Sequence, residues 1–100
     1  MMARLSTHIL DTAQGRPAAA IEVRLFDADR ALLRTVLTDA DGRALIDEDL
    51  APGVYELWFA VRASQFLEDV VVRFRMVEGE KKYHVPLLIS PHGYTTYRGS

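Results

Sequence analysis

The chain contains no cysteine, which excludes disulfide bonds, thiolate metal ligands and a cysteine nucleophile. One hydrophobic core accounts for a chain of 100 residues, so we expect a single domain over residues 1–100. A domain of this size buries only about 60–65% of the surface that its unfolded chain exposes, which leaves its stability marginal. Because cysteine supplies no cross-link here, we expect the protein to self-associate.

Long apolar runs and an excess of one charge sign are also missing. No apolar run approaches the roughly 20 residues that span a bilayer, and the N-terminal segment MMARLSTHILD places polar residues too early for a signal peptide. Twelve Lys and Arg against fourteen Asp and Glu give a net charge of −2, so the composition lacks the excess of basic residues typical of proteins that bind nucleic acid. We therefore expect no nucleic-acid or membrane partner and a cytoplasmic location. Only residues 81–100 form a basic segment, which would attract an anionic small molecule.

Hydrophobic residues alternate with polar ones along most of the chain. Ile21, Val23 and Leu25 alternate with charged residues, which is typical of a strand with one buried face. The same period, interrupted by turn residues, predicts about eight strands and hence an all-β sandwich. The predicted strands are residues 5–10, 20–26, 32–38, 43–46, 54–61, 70–77, 83–89 and 94–98.

Turn residues and breakers add three expectations. Residues 27–30, 39–42 and 51–53 contain the Asp, Pro and Gly of tight turns, and we predict hairpin connections there. Pro86 lies inside a predicted strand and lacks an N–H, so an edge or a bulge is expected at that point. Residues 62–69 alone suggest helix, of no more than about two turns.

The candidate functional residues are weak when they are taken singly. His8, His84 and His92 lack the spacing of metal ligands, so no metal site is expected. Strand alternation places His8 and His84 on the more polar face of their strands, where they are either ordinary solvent-facing side chains or functional ones. Arg43, which follows an Asp-Gly turn, is open to the same two interpretations.

Three motifs together resemble those of the 5-hydroxyisourate hydrolase family, which is transthyretin-like. They are LSTHILD at residues 5–11, YHVPLLISP at 83–91 and GYTTYRGS at 93–100. The YRGS tail is the most specific, because vertebrate transthyretin, the hormone carrier of the same fold, lacks both this tail and the histidine pair. The resemblance covers essentially the whole chain and implies a transthyretin-like β-sandwich. Residues 62–69 are shorter than the corresponding segment in typical members, so the short helix between strands five and six is expected to be truncated or absent.

The resemblance also implies an activity, which is hydrolysis of 5-hydroxyisourate to 2-oxo-4-hydroxy-4-carboxy-5-ureidoimidazoline in urate degradation, without metal or cofactor. By position it implies His8, Arg43, His84 and Ser100 as catalytic residues. Substrate would be bound by His8, Arg43, Tyr97 and Arg98, although Arg98 could instead pair with an acid of a partner subunit. The family forms homotetramers, as dimers of dimers joined through edge strands, with active sites in a central channel.

Those residue types suit the reaction. Hydrolysis of an amide-like bond needs an activated water, a stabilised oxyanion and a proton for the leaving nitrogen. A pair of histidines can move both protons, and Arg43, always protonated, can anchor an anionic ring. Two other functions stay open: a non-catalytic carrier or binding module using the same channel, and a structural sandwich that associates through strand edges. A carrier of hydrophobic ligands would favour apolar residues at these positions.

Overall fold

The chain folds into β-strands joined by turns. The structure, a computed structural model, describes residues 2–61 and 66–100. Its ten strands are β1 (Ala3–Asp11), β2 (Arg16–Pro17), β3 (Glu22–Asp27), β4 (Leu32–Leu37), β5 (Arg43–Leu50), β6 (Gly53–Phe59), β7 (Val70–Met76), β8 (Lys82–His84), β9 (Leu87–Ile89) and β10 (Tyr94–Thr96). Within the two described ranges no helix is present, and so none that could cross a membrane.

The strands form two stacked sheets. In the six-stranded sheet, β1 pairs antiparallel with β2 and β5, and parallel with β8 and β9, while β10 extends the sheet from β9. The four-stranded sheet is antiparallel, in the order β4-β3-β6-β7. Fully buried apolar side chains from both sheets, including Leu5, Ile9, Leu25, Leu57 and Phe59, fill the space between them. The predicted all-β sandwich is thus confirmed.

Strand β1 shows how alternation creates a core face and an outer face. Ala3, Leu5, Thr7 and Ile9 are all buried, and the residues between them are not. Thr7 is tolerated in the core because its hydroxyl donates a hydrogen bond of 2.7 Å to the Val85 carbonyl oxygen. The predicted orientation of β1, with its more polar residues facing outward, is therefore correct.

Only one of the three predicted hairpins is a hairpin. Residues 28–31 join β3 to β4, which pair with each other. Residues 38–42 and 51–52 instead carry the chain from one sheet to the other, because β5 lies in the six-stranded sheet and its neighbours β4 and β6 do not. The Asp39 carboxylate accepts bonds from the backbone N–H groups of Asp41 and Arg43, at 2.9 and 3.0 Å. Such local capping is identical whether or not the flanking strands pair, so the sequence signal did not distinguish the two cases.

The predicted strand at residues 83–89 is divided at Pro86. The pairs Ser6↔His84 and Ile9↔Leu87 keep the same offset, so no bulge is present. Because the Val85 N–H bonds to Ser6 on β1, the adjacent Pro86 nitrogen points away from β1, where no ladder bond is lost.

Other predicted boundaries also shift. The fourth predicted strand extends to Leu50, the last ends at Thr96 rather than residue 98, and the short β2 was not predicted. The first half of the predicted helical segment, residues 62–65, lies outside the described residues. Among residues 66–69 the backbone forms no helix.

Candidate active site

Strand register brings His8, Arg43 and His84 to one face of the six-stranded sheet. The antiparallel pairing of β1 with β5 sets His8 opposite Arg43. The parallel pairing of β1 with β8 sets Ser6 opposite His84. Opposed residues in a sheet share a face, as do residues two apart on one strand. Side chains separated by up to 76 positions in the sequence therefore project together from the outer face.

A cleft of about 370 Å³ opens on this face, within the range of sites for small molecules. Its lining residues come from three adjacent strands and the C-terminal tail: Arg4, Ser6, Thr7, Arg43, Ala44, Leu45, Lys82, Tyr83, His84 and Ser100. Three of them are cations and none is an acidic side chain. This charge distribution favours an anionic ligand.

A glycine fixes the start of β5 next to β1. Gly42 has φ of +73°, and its carbonyl oxygen accepts a 2.8 Å bond from the Ile9 N–H. A Cβ at this position would overlap the Ile9 carbonyl oxygen. Only glycine therefore allows both the turn and the close approach that set Arg43 beside His8.

The His84 imidazole is held by two groups. Its Nδ1 lies 2.9 Å from the Ser6 Oγ. Gly99 lies against the ring, where a Cβ would be 2.7 Å from the His84 Cδ2, and its N–H donates a 2.7 Å bond to the His84 carbonyl oxygen. Among the described residues no hydrogen bond to Nε2 is found, so this nitrogen is available to a ligand.

Burial lowers the pKa of His84 below 6.5, and the charges of Arg43, His8 and Lys82 lower it further. Both causes act against the imidazolium form, one by removing water and the others by repulsion. His84 is therefore neutral at pH 7 and able to accept a proton.

The C-terminal tail contributes Ser100 to the cleft but not the two residues before Gly99. Arg98 lies 4.6 Å from the centre of the Tyr83 ring and forms an ion pair of 3.2 Å with Glu80 of its own chain. Tyr97 lines a separate, largely apolar hollow of about 220 Å³ beside Val72 and Phe74. Neither Tyr97 nor Arg98 lines the cleft within this protomer. Arg98 nevertheless lies next to it, because it contacts Tyr83 and donates a 3.3 Å bond to the Lys82 carbonyl oxygen, and both of these residues line the cleft.

Several residues of the site were not predicted. Arg4 and Lys82 line the cleft because they share the outer face with Ser6 and His84. Strand alternation already placed Ser6 on the face of His8, but its contact with His84 depends on strand pairing. His92, expected at the surface, is exposed and lies near the Phe66 ring, outside the cleft. In residues 2–61 and 66–100 no cluster of His, Asp or Glu could hold a metal ion.

Fold and site together define a two-sheet β-sandwich protein with a cationic, histidine-containing cleft suited to a small anionic molecule. The model of the HIUase/Transthyretin family matches residues 5–99. The 5-hydroxyisourate hydrolase of Mesorhizobium japonicum is 46% identical over 97% of this chain and 92% of its own length. This chain belongs to the HIUase/Transthyretin family.

Solved structures agree with the sandwich. The 5-hydroxyisourate hydrolase of Klebsiella pneumoniae superposes with a TM-score of 0.87 at 36% identity, covering 99% of this chain and 100% of that one. Sea bream transthyretin in complex with thyroxine gives 0.86 at 33% identity, covering 95% and 93%. The predicted transthyretin-like fold is confirmed. The M. japonicum alignment spans 115 positions against a chain of 100 residues, so this chain is shorter than that relative within the aligned region.

Proposed function

We propose that this protein hydrolyses 5-hydroxyisourate to 2-oxo-4-hydroxy-4-carboxy-5-ureidoimidazoline, a step of urate degradation. Its family membership and its similarity to 5-hydroxyisourate hydrolases along the whole chain support this activity. The observation that carries the proposal is the strand register, which brings Arg43 and His84 into one cationic cleft and sets His8 beside it. A small anionic heterocycle fits both the size and the charge of that cleft.

His84 acts as the general base in this mechanism. Its neutral imidazole takes a proton from a water molecule, whose oxygen attacks the lactam carbonyl carbon to form a tetrahedral intermediate. Collapse of the intermediate breaks the carbon–nitrogen bond, and the nitrogen receives a proton from the imidazolium. The surrounding cations assist this return because they disfavour the charged ring. His8, beside Arg43, orients the water or shares the proton transfer.

Arg43 binds the substrate and stabilises the oxyanion. The guanidinium stays protonated and presents several N–H donors in one plane, which match a carbonyl or carboxylate group of the substrate. Arg4 and Lys82 add positive charge to the same cleft. Ser100, at the edge of the cleft, is placed to hydrogen-bond the bound ring.

The test is to generate 5-hydroxyisourate from urate with urate oxidase and to follow its ultraviolet absorbance with and without this protein. We expect faster decay than the spontaneous reaction. His84→Ala should lower kcat/KM by about 10²–10⁴-fold, and Arg43→Ala by about 10²–10³-fold. His92→Ala is the matched control, since this histidine is exposed and outside the cleft. An unchanged decay rate would refute the activity, and full activity in both cleft variants would refute the site.

We also propose a homotetramer, formed as a dimer of dimers. β7 and β10 each pair with a single strand in the described part of the chain, so each presents an open edge. β4, at the opposite edge of the four-stranded sheet, is also open, and a variant there separates the two edges. The hollow that contains Tyr97 lies between elements of these two edges. Light scattering coupled to size exclusion should give a mass near four chains, which Tyr97→Lys lowers and Leu37→Lys, exposed on β4, does not. A monomeric wild-type protein would refute the tetramer.

The carrier function is not favoured, because three cationic side chains and a histidine line the cleft, whereas a carrier of hydrophobic ligands would favour apolar residues there. Thyroxine binding, which is the property of the sea bream protein, would accompany an absence of turnover if that alternative were correct. We further propose that the protein acts in the cytoplasm, where proteins seldom form disulfide bonds and a chain without cysteine is ordinary. Cell fractionation with an antibody to the chain tests this location.

A further inference from the structure

Ser6 is the residue of the cleft whose position is most closely tied to His84. It lies in the middle of β1, directly opposite His84 in the parallel pair, and its Oγ is 2.9 Å from Nδ1. Across the described residues, no other hydrogen bond to the imidazole is found. The backbone adjoining both residues is fixed as well, since the Val85 N–H donates a 2.9 Å bond to the Ser6 carbonyl oxygen.

The geometry points to Ser6 as a positioning residue that fixes the rotation and the tautomer of His84. This inference rests on the proposed function. A half-turn of the ring about its Cβ–Cγ bond would exchange Nδ1 for Cδ2 and lose the bond to the Ser6 hydroxyl. The bond therefore selects one orientation, with Nε2 available to the cleft.

The tautomer follows from the role of the ring as a base. A neutral imidazole carries one proton, and Nε2 accepts a proton from water only when that one proton is on Nδ1. We assign the bond as Nδ1–H donating to the Ser6 Oγ. When Nε2 becomes protonated, the Nδ1–H to oxygen bond persists and becomes charge-assisted, so the ring keeps its position throughout the reaction.

A hydroxyl differs from a carboxylate in this position. A carboxylate at Nδ1 would stabilise the imidazolium and oppose return of the proton to the leaving nitrogen. Serine orients the ring without adding charge. Three titratable or charged side chains act on the ring, His8 on β1, Arg43 on β5 and Lys82 on β8, and Arg4 and Tyr83 line the same cleft. No acidic side chain is among the described lining residues, so the side-chain charge around His84 is positive.

The experiment combines nitrogen chemical shifts with kinetics. Histidine labelled with ¹⁵N in the wild-type protein at pH 8 should show His84 protonated at Nδ1 and unprotonated at Nε2. Ser6→Ala should give a mixture of tautomers and lower kcat by about 10–10²-fold with KM changed less than threefold, because orientation and not binding is lost. Ser6→Thr, which retains the hydroxyl, should restore at least a third of wild-type kcat.

A matched control removes a hydroxyl near the same strand without touching the ring. Thr12, directly after β1, donates to the Ile89 carbonyl oxygen at 2.9 Å, and Thr12→Val should leave both the tautomer and kcat unchanged. A wild-type His84 protonated at Nε2 would overturn the inference, as would Ser6→Ala with unchanged tautomer and kcat. The spectrum of the wild-type protein needs no variant and no substrate, so it decides the assignment even if Ser6→Ala fails to fold or the hydrolase activity is absent.

Discussion

Substituting Gly99 by alanine tests whether the C-terminal tail holds the proposed base. The new methyl carbon would lie 2.7 Å from the His84 Cδ2 and 3.1 Å from the Pro86 Cγ. Carbon atoms in ordinary contact are about 3.5–4.0 Å apart, so the ring or the tail must move by about 1 Å. Pro86, which is buried, blocks movement of the methyl group in its own direction.

The size of the kinetic effect follows from this displacement. A misplacement of about 1 Å at a reacting group costs about 10²-fold in rate, which corresponds to about 2.7 kcal/mol in the activation barrier. We expect Gly99→Ala to lower kcat in the 5-hydroxyisourate decay assay by that factor. Loss of the bond from the Gly99 N–H to the His84 carbonyl oxygen should lower the free energy of unfolding by only about 1 kcal/mol.

Gly93→Ala is the control for this substitution. A methyl group at Gly93 would lie 3.6 Å from the Ser90 Oγ, an ordinary contact, so kcat should stay within twofold of the wild type. If Gly99→Ala has the kcat of Gly93→Ala, the tail does not position the ring, and the reasoning from this contact is wrong.

The remaining predictions concern the backbone that supports the site and the charge around His84. Gly42→Ala should lower the free energy of unfolding, measured with urea, by more than Gly15→Ala, because both glycines have positive φ but only Gly42 would also clash with Ile9; equal losses would contradict this. Burial and neighbouring cations lower the pKa of His84. The contribution of His84 to the free energy of unfolding is therefore complete above pH 6.5 and is lost as the pH falls through the folded-state pKa. For the same reason the acid limb of kcat/KM should have its midpoint below pH 6.5, and a midpoint above 6.5 would contradict the lowered pKa. Lys82→Met should move that limb toward higher pH, since it removes one repelling charge; an unchanged limb would show that Lys82 does not act on the ring.

Much of the fold was predictable because alternation is a local property of extended chain. Val23 and Leu25 face the core and Arg24 faces solvent for the same geometric reason that separates Leu5 from Ser6. The predictions failed where pairing is non-local. The turn around Asp39 was predicted as a hairpin although it crosses between sheets, since its capping bonds involve only neighbouring residues.

The candidate site shows the same contrast between local and non-local features. The family resemblance singled out His8, Arg43, His84 and Ser100. All but His8 line the cleft, while His8 lies beside it in register with Arg43. Substrate binding by Tyr97 and Arg98 stays a prediction, since in this protomer Tyr97 lines the neighbouring hollow and Arg98 contacts Tyr83 and Glu80. The sequence contains no signal for these positions, because they arise from contacts between residues that are distant in the chain.

The sequence by itself determined that this protein is a small, cysteine-free β-sandwich of a recognisable family, with His8 and His84 on the polar faces of their strands. It did so because side-chain alternation, turn chemistry and motifs are all written within a few adjacent residues. Only the tertiary structure decided that Ser6 meets His84, that Arg43 stands beside His8, and that Gly99 packs against the imidazole ring. These contacts join residues distant in the chain, and strand register, which depends on packing the whole core, sets them within about an ångström.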